Sequence, residues 1–163
     1  MSKPRKKYRP RPISVDPIAD AIYGSALMSK DRKDSMLMEM YVALDMLRMG
    51  KADRQQWNFI VRAANVGEAL TEMRIGKDLR PEFDAGHEAL HQVALRMLKT
   101  GSSTCHGYEL KAIRECVAVF ASQIDHCTNK EFAQAERNVE RQLASGKCQD
   151  VKRDYEKLNR ENP

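Results

Sequence analysis

The residues with the clearest chemical meaning are His87-Glu88-Ala89-Leu90-His91, which have the form H-E-x-x-H. On a helix, histidines four positions apart lie on one face and can both bind zinc. The glutamate between them would polarise a zinc-bound water and act as general base. Taken literally, these five residues resemble the active-site helix of zinc-dependent metallopeptidases. A zinc-dependent hydrolase using His87, Glu88 and His91 is therefore one functional hypothesis.

The remaining sequence does not complete that active site. Ala94 and Met97 stand where one family of zinc peptidases has a glycine and its third histidine. We also predict no strand, whereas such enzymes offer a strand edge to the substrate. A structural metal held by His87, His91 and Cys116 is a weaker alternative. We predict no catalytic residue, no enzymatic activity and no cofactor, and zinc remains the alternative.

The cysteine pattern and the hydropathy favour a cytoplasmic protein. Cys105, Cys116, Cys127 and Cys148 form no C-x-x-C pair, which is typical of reduced, isolated thiols. No apolar run approaches the roughly 18 residues that span a bilayer. The N-terminus is charged and proline-rich, unlike a secretory signal. We therefore expect no membrane partner.

Positive charge is concentrated in a proline-rich arm, residues 1–15. The chain has 28 basic and 23 acidic residues, a net charge of +5. Without the six basic residues of the arm, the body is close to neutral. The prolines prevent a helix, so we expect a disordered arm. It would bind a phosphate backbone or an acidic protein surface, with a tyrosine available to stack on a base. The binding residues predicted here are Lys3, Arg5, Lys6, Lys7, Tyr8, Arg9 and Arg11.

The rest of the chain predicts an all-α fold, a helical bundle of four to five helices over residues 16–146. Residues 147–163 form a charged C-terminal helix or tail. Apolar residues spaced by three and four, together with capping and stop residues, predict the bundle helices. These helices are expected at 17–23, 34–49, 53–76, 81–100 and 108–145.

The last of these helices is long, and its two halves differ. Before residue 124 its apolar face is wide, as in a core helix. After Thr128 the face narrows and charged residues flank it, which favours binding to a protein partner or to a second copy. The alternative is packing against the N-terminal helix or the C-terminal segment. The predicted contact residues are Phe132, Ala135, Arg137, Val139, Arg141 and Leu143.

The helix at 34–49 is rich in methionine and apolar on nearly all sides, which predicts a central, buried position. A methionine-rich surface can also adapt to different partners, so an exposed binding face is the alternative.

Residues 6–12 (KKYRPRP), Trp57-Asn58, Asn65-Val66 and the long last helix resemble a group of small helical proteins encoded in temperate phages and prophages of proteobacteria. The resemblance covers most of residues 3–146. It implies an accessory protein of a bacterial host cell that binds host machinery or nucleic acid, and it carries no catalytic residue. We therefore predict a non-enzymatic accessory protein that binds a host or phage protein. DNA or RNA binding through the arm is the first alternative.

Overall fold

The computed structural model describes residues 17–76, 78–146 and 150–161. Within these ranges the regular structure is helical, apart from one isolated bridge between Leu27 and Thr128. This confirms the all-α class. The seven helices are α1 Pro17–Ser25, α2 Lys30–Arg48, α3 Arg54–Glu72, α4 Arg80–Thr100, α5 Gly107–His126, α6 Asn129–Ala144 and α7 Val151–Glu161.

Two features expected from the sequence lie at the ends of the chain. The basic arm falls outside the described residues. At the other end, α7 forms within the charged C-terminal segment and packs against α4. None of the described helices is long and apolar enough to cross a membrane.

Local capping sets where α2 and α3 begin. Asp53 accepts hydrogen bonds from the backbone N–H groups of Gln55 and Gln56, and the Gln56 side chain accepts one in return from the N–H of Asp53. This is a capping box at the start of α3. Ser29 caps α2 in a similar way. Because the cap is Ser29, α2 begins four residues before the predicted start at residue 34.

The predicted single helix at 108–145 is wrong, because the structure contains two helices, α5 and α6. Cys127 and Thr128 are extended, with ψ angles of 147° and 161°. Thr128 starts α6 through a second capping box: its hydroxyl accepts from the N–H of Glu131, and the Glu131 carboxylate accepts from the N–H of Thr128 at 2.8 Å. The periodic apolar spacing runs through this break and conceals it.

The core lies around α3, which packs against α2, α4, α5 and α6. Small residues at Ala63, Ala64, Gly67 and Ala69 allow these neighbours to approach closely. Helices α4 and α5 pair as an antiparallel hairpin, because Gly86 lies beside Cys116 while Arg96 binds Glu109. This pairing therefore fixes which face of α4, the helix that carries the histidine motif, is covered by α5.

Helix α2 lies at the side of the structure rather than at its centre. It packs against α3 and α5 through Met40, Ala43, Leu44 and Leu47, which are buried. Its opposite face remains exposed. The predicted central position is therefore wrong, because α2 has neighbours on one side only among the described helices.

Candidate functional site

His87 and His91 lie on the same face of α4, as predicted, and line a cavity of about 350 Å³. Helices α3, α4, α6 and α7 all contribute to its wall. The sequence features that seemed separate therefore meet at this cavity: the histidine pair, the single tryptophan, the late apolar stripe and the C-terminal segment. Its other lining residues include Trp57, Glu68, Leu90, Val139, Leu143 and Val151.

Each imidazole of the pair faces a different carboxylate. His87 Nε2 lies 3.2 Å from Glu68 Oε2, and His91 Nε2 lies 3.9 Å from Asp154 Oδ2. Arg80 also binds Glu68, at 2.8 Å. The interaction with His87 lowers the pKa of Glu68, although burial acts in the opposite direction. Both histidines therefore connect α4 to a neighbouring helix.

The structure does not bring His87, His91 and Cys116 together as a metal site. A Cβ atom built on Gly86 would stand 2.6 Å from the Cβ of Cys116, so Cys116 faces Gly86. Among the described residues, no three histidine, cysteine or acidic side chains are grouped so that they could hold a metal ion.

Glu88, the expected general base, lies on the exposed side of α4. Its carboxylate accepts a hydrogen bond from Gln92 Nε2 at 2.8 Å. The motif thus has its two histidines at the cavity and its glutamate on the surface.

The described cysteines are poor nucleophiles. Burial raises the pKa of Cys116 to about 12 and that of Cys105 to about 11. Burial also raises the pKa of Cys127, which is fully buried. A thiol reacts as its thiolate, and these shifts keep the thiols protonated at neutral pH. Cys148 lies outside the described residues.

The predicted partner surface on the late stripe is divided by the fold. Phe132, Ala135 and Val139 are buried within the chain, where α6 packs against α3 and α1. They belong to the core, where Phe132 packs against Phe120, so the fold does not offer these three side chains to a partner as predicted. Arg137, Arg141 and Leu143 remain exposed.

Helix α2 and its C-cap, Met49, expose several large apolar side chains. Met38, Tyr41, Val42 and Met49 are 66%, 49%, 53% and 48% exposed. Residues 38, 42 and 49 fall on one side of the helix, and Tyr41 borders them. We call these four residues the α2 face. The signal in the sequence was the apolar character of this segment on nearly all sides. We interpreted that character as burial and kept an exposed face as the alternative.

The residues of the predicted binding arm, Lys3 to Arg11, lie outside the described part of the chain. No protein-family model matches the sequence, and no curated protein or solved structure matches it either. The resemblance to phage and prophage proteins therefore stays a prediction.

Proposed function

We propose that this protein is a non-enzymatic binding protein whose α2 face receives an amphipathic helix of a protein partner. The observation that carries the proposal is the exposure of four large apolar side chains together on one helix. A clustered apolar surface is a common mark of a protein interaction site. Methionines suit this role, because their flexible, polarizable side chains adapt to a partner's shape.

The length of the α2 face favours a helical partner. From Met38 to Met49 the helix rises about 16 Å, or three turns. A partner helix uses anchors at positions i, i+4 and i+7, which need about two turns of matching surface. The α2 face is long enough for this arrangement, with the exposed Asp45–Arg48 pair lying between Val42 and Met49.

The rest of α2 is firmly held, so the face is presented by a fixed helix. Lys33 binds Asp125 of α5 at 2.8 Å. Arg32 donates a hydrogen bond to Asn129 of α6 at 3.3 Å, and its guanidinium lies 5.4 Å from the ring centre of Phe132. A helix anchored by its buried side and its N-terminal turn loses little freedom when a partner binds.

The chemistry around the histidine motif supports a binding role over a hydrolytic one. Glu88 lies on the surface, and each histidine contacts its own carboxylate. Cys116, the thiol nearest the motif on α5, is buried and protonated. This set of groups lacks an activated nucleophile with a base beside it.

The proposal is tested with a photo-crosslinking amino acid at Val42, introduced in cells of the source organism. The matched control carries the same group at Arg114, an exposed position on α5. We expect a specific crosslinked partner from position 42 only, and Met38→Glu should abolish it. Circular dichroism and urea unfolding would show that the variant stays folded.

Three results would count against the proposal. Equal crosslinking at both positions would indicate non-specific contact. Insensitivity to Met38→Glu would place the partner elsewhere. Crosslinking to a second copy alone would make the α2 face a self-association surface instead.

Nucleic-acid binding through the arm is the second candidate, favoured by the six basic residues within positions 1–12. Phosphate binding releases counterions and therefore weakens as salt rises. Deleting residues 1–12 should remove both the binding to DNA or RNA and its salt dependence. The absence of binding by the intact chain at low salt would exclude this candidate.

A further inference from the structure

A second cavity lies between the start of α3, the end of α4 and the start of α7, apart from the α2 face and next to the histidine cavity, with which it shares Trp57 and Val151. Its volume is about 620 Å³. We call it the Trp57 groove. The residues that matter below are Arg54, Trp57, Met97, Leu98, Lys152 and Arg153, all of which line it.

The charged side chains of the Trp57 groove are net positive, with three cations against one acid. Among the described residues, Arg54, Lys152 and Arg153 form no ion pair. The one acid in the lining, Asp150, already accepts hydrogen bonds from the backbone N–H groups of Lys152 and Arg153 at 3.1 and 3.2 Å. Three cations therefore line the groove, and its one carboxylate, that of Asp150, caps α7.

The three cations lie at the starts of two helices. Arg54 is the first residue of α3, and Lys152 and Arg153 lie in the first turn of α7. Both helix starts already have a carboxylate cap, Asp53 on α3 and Asp150 on α7. The positive charge offered to a ligand is therefore that of the three side chains.

The floor of the groove is apolar and short. Trp57 contributes its ring, while its indole N–H donates to the carbonyl of Leu90 at 3.3 Å and is already satisfied. On α4 the floor runs from Ala94 to Leu98, a rise of about 6 Å or one turn. A partner helix needs a longer surface. The volume instead lies in the range of about 300–1,000 Å³ that is typical of small-molecule sites.

We propose that the Trp57 groove binds a small anionic amphiphile, an apolar chain or ring that carries a carboxylate or a phosphate. The apolar body lies on Trp57, Met97 and Leu98. The anionic group binds the cations at the starts of α3 and α7. The site is independent of the α2 face, so each proposal stands or fails without the other.

Trp57 is the only tryptophan in the chain and lines both the groove and the histidine cavity, so its fluorescence reports binding in either cavity and the variants below assign the site. The full-length protein is titrated with dodecanoate and with dodecyl phosphate, both below their micelle concentrations. Dodecyltrimethylammonium, which has the same chain and the opposite charge, is the control. We expect saturable binding of both anions, at least about tenfold tighter than the cation, with an affinity that falls as salt screens the charges.

The triple variant Arg54→Gln/Lys152→Gln/Arg153→Gln tests the assigned cations. It should bind dodecyl phosphate at least about tenfold more weakly, since charge-assisted hydrogen bonds are lost. Arg114→Gln removes an exposed cation from α5 and should leave the affinity unchanged. Leu98→Asp, a change at a 43% exposed position, should also prevent binding, because it places a negative charge in the groove. Circular dichroism of each variant would show whether it is folded.

Several outcomes would overturn the proposal. Equal affinity for the cationic amphiphile would indicate unspecific apolar binding. An unchanged affinity in the triple variant would place the anion elsewhere. Binding to phosphatidic acid vesicles without binding of monomeric dodecyl phosphate would identify a membrane surface instead. Binding of an acidic peptide alone would identify a protein site. If dodecyl phosphate binds and dodecanoate does not, the carboxylate part of the proposal fails.

Discussion

Gly67 of α3 and the ring of Phe83 of α4 are packed so closely that a Cβ atom on Gly67 would lie 2.4 Å from two ring carbons. Both residues are buried, and Phe83 is fully enclosed. The two helices therefore cross where one of them has no side chain. Because α3 is the helix around which the core is built, this contact fixes the distance at which α4 presents His87 and His91.

The substitution Gly67→Ala tests this crossing. Alanine favours a helix over glycine by about 1 kcal/mol. Overpacking a tight core usually costs about 1–3 kcal/mol, and the enclosed Phe83 ring has little room to move. We expect net destabilisation, measured as a lower urea midpoint. The control Gly107→Ala adds a methyl group where no atom lies within 4 Å. Equal midpoints for the two variants would contradict the crossing.

Arg96 and Glu109 hold the turn between α4 and α5. The guanidinium binds both carboxylate oxygens, at 2.7 and 3.0 Å, and also donates to the carbonyl of Thr104. The Glu109 side chain is fully buried. Arg96→Met should cost about 3–5 kcal/mol in urea unfolding, because it leaves a buried charge unpaired. Lys111→Met breaks only the exposed pair with Glu115 and should cost at most about 1 kcal/mol. Similar losses in the two variants would be inconsistent with this account.

The same carboxylate predicts a loss of stability in acid. Burial alone would raise the pKa of Glu109, but hydrogen bonds from Arg96 and from the His106 backbone N–H outweigh it and leave the pKa below its ordinary value. Because the pKa of Glu109 is lower in the folded than in the unfolded chain, its contribution to the free energy of unfolding is complete above the unfolded value of about 4.3. That contribution disappears as the pH falls through the folded pKa.

Urea unfolding from neutral pH down to about pH 2 would measure this contribution. Glu68, Asp125 and Glu131 also have lowered pKa values, so the comparison must be with Glu109→Gln. That variant should lose less stability in acid than the unmodified chain. Parallel pH curves for the two proteins would show that Glu109 does not contribute.

The sequence predicted the local structure of this molecule better than its tertiary arrangement. The Asp53-to-Gln56 capping box and the stop at Gly101 were readable, because each depends on a few neighbouring residues. The pairing of His91 with Asp154 was not, since the two are distant in sequence and meet only when α7 packs on α4. The apolar character of α2 likewise gave no information on which side its neighbours cover.

Thr128 is the position where a readable signal was misinterpreted, and it gives a direct test. Thr128-x-x-Glu131 has the same capping form as the start of α3, but the uninterrupted apolar period favoured one helix. Thr128→Ala removes the cap and should lower the free energy of unfolding in urea by about 1 kcal/mol. Thr128→Ser retains the hydroxyl, so its free energy of unfolding should stay within a few tenths of about 1 kcal/mol of that of the unmodified chain. If alanine is tolerated as well as serine, the cap does not determine the break between α5 and α6.

The buried thiols predict slow alkylation of the folded chain. With its pKa raised to about 12, Cys116 has roughly one thiolate in ten thousand at pH 8, against about a quarter for a free thiol of pKa 8.5. Iodoacetamide labelling followed by peptide mass spectrometry should therefore modify Cys105, which is partly exposed, before Cys116. In urea, where burial is lost, the two should react at similar rates. Rapid labelling of Cys116 in the folded chain would contradict its burial against Gly86 and would restore a reactive thiol beside the histidine motif. Slow labelling would leave that motif without a cysteine nucleophile on α5.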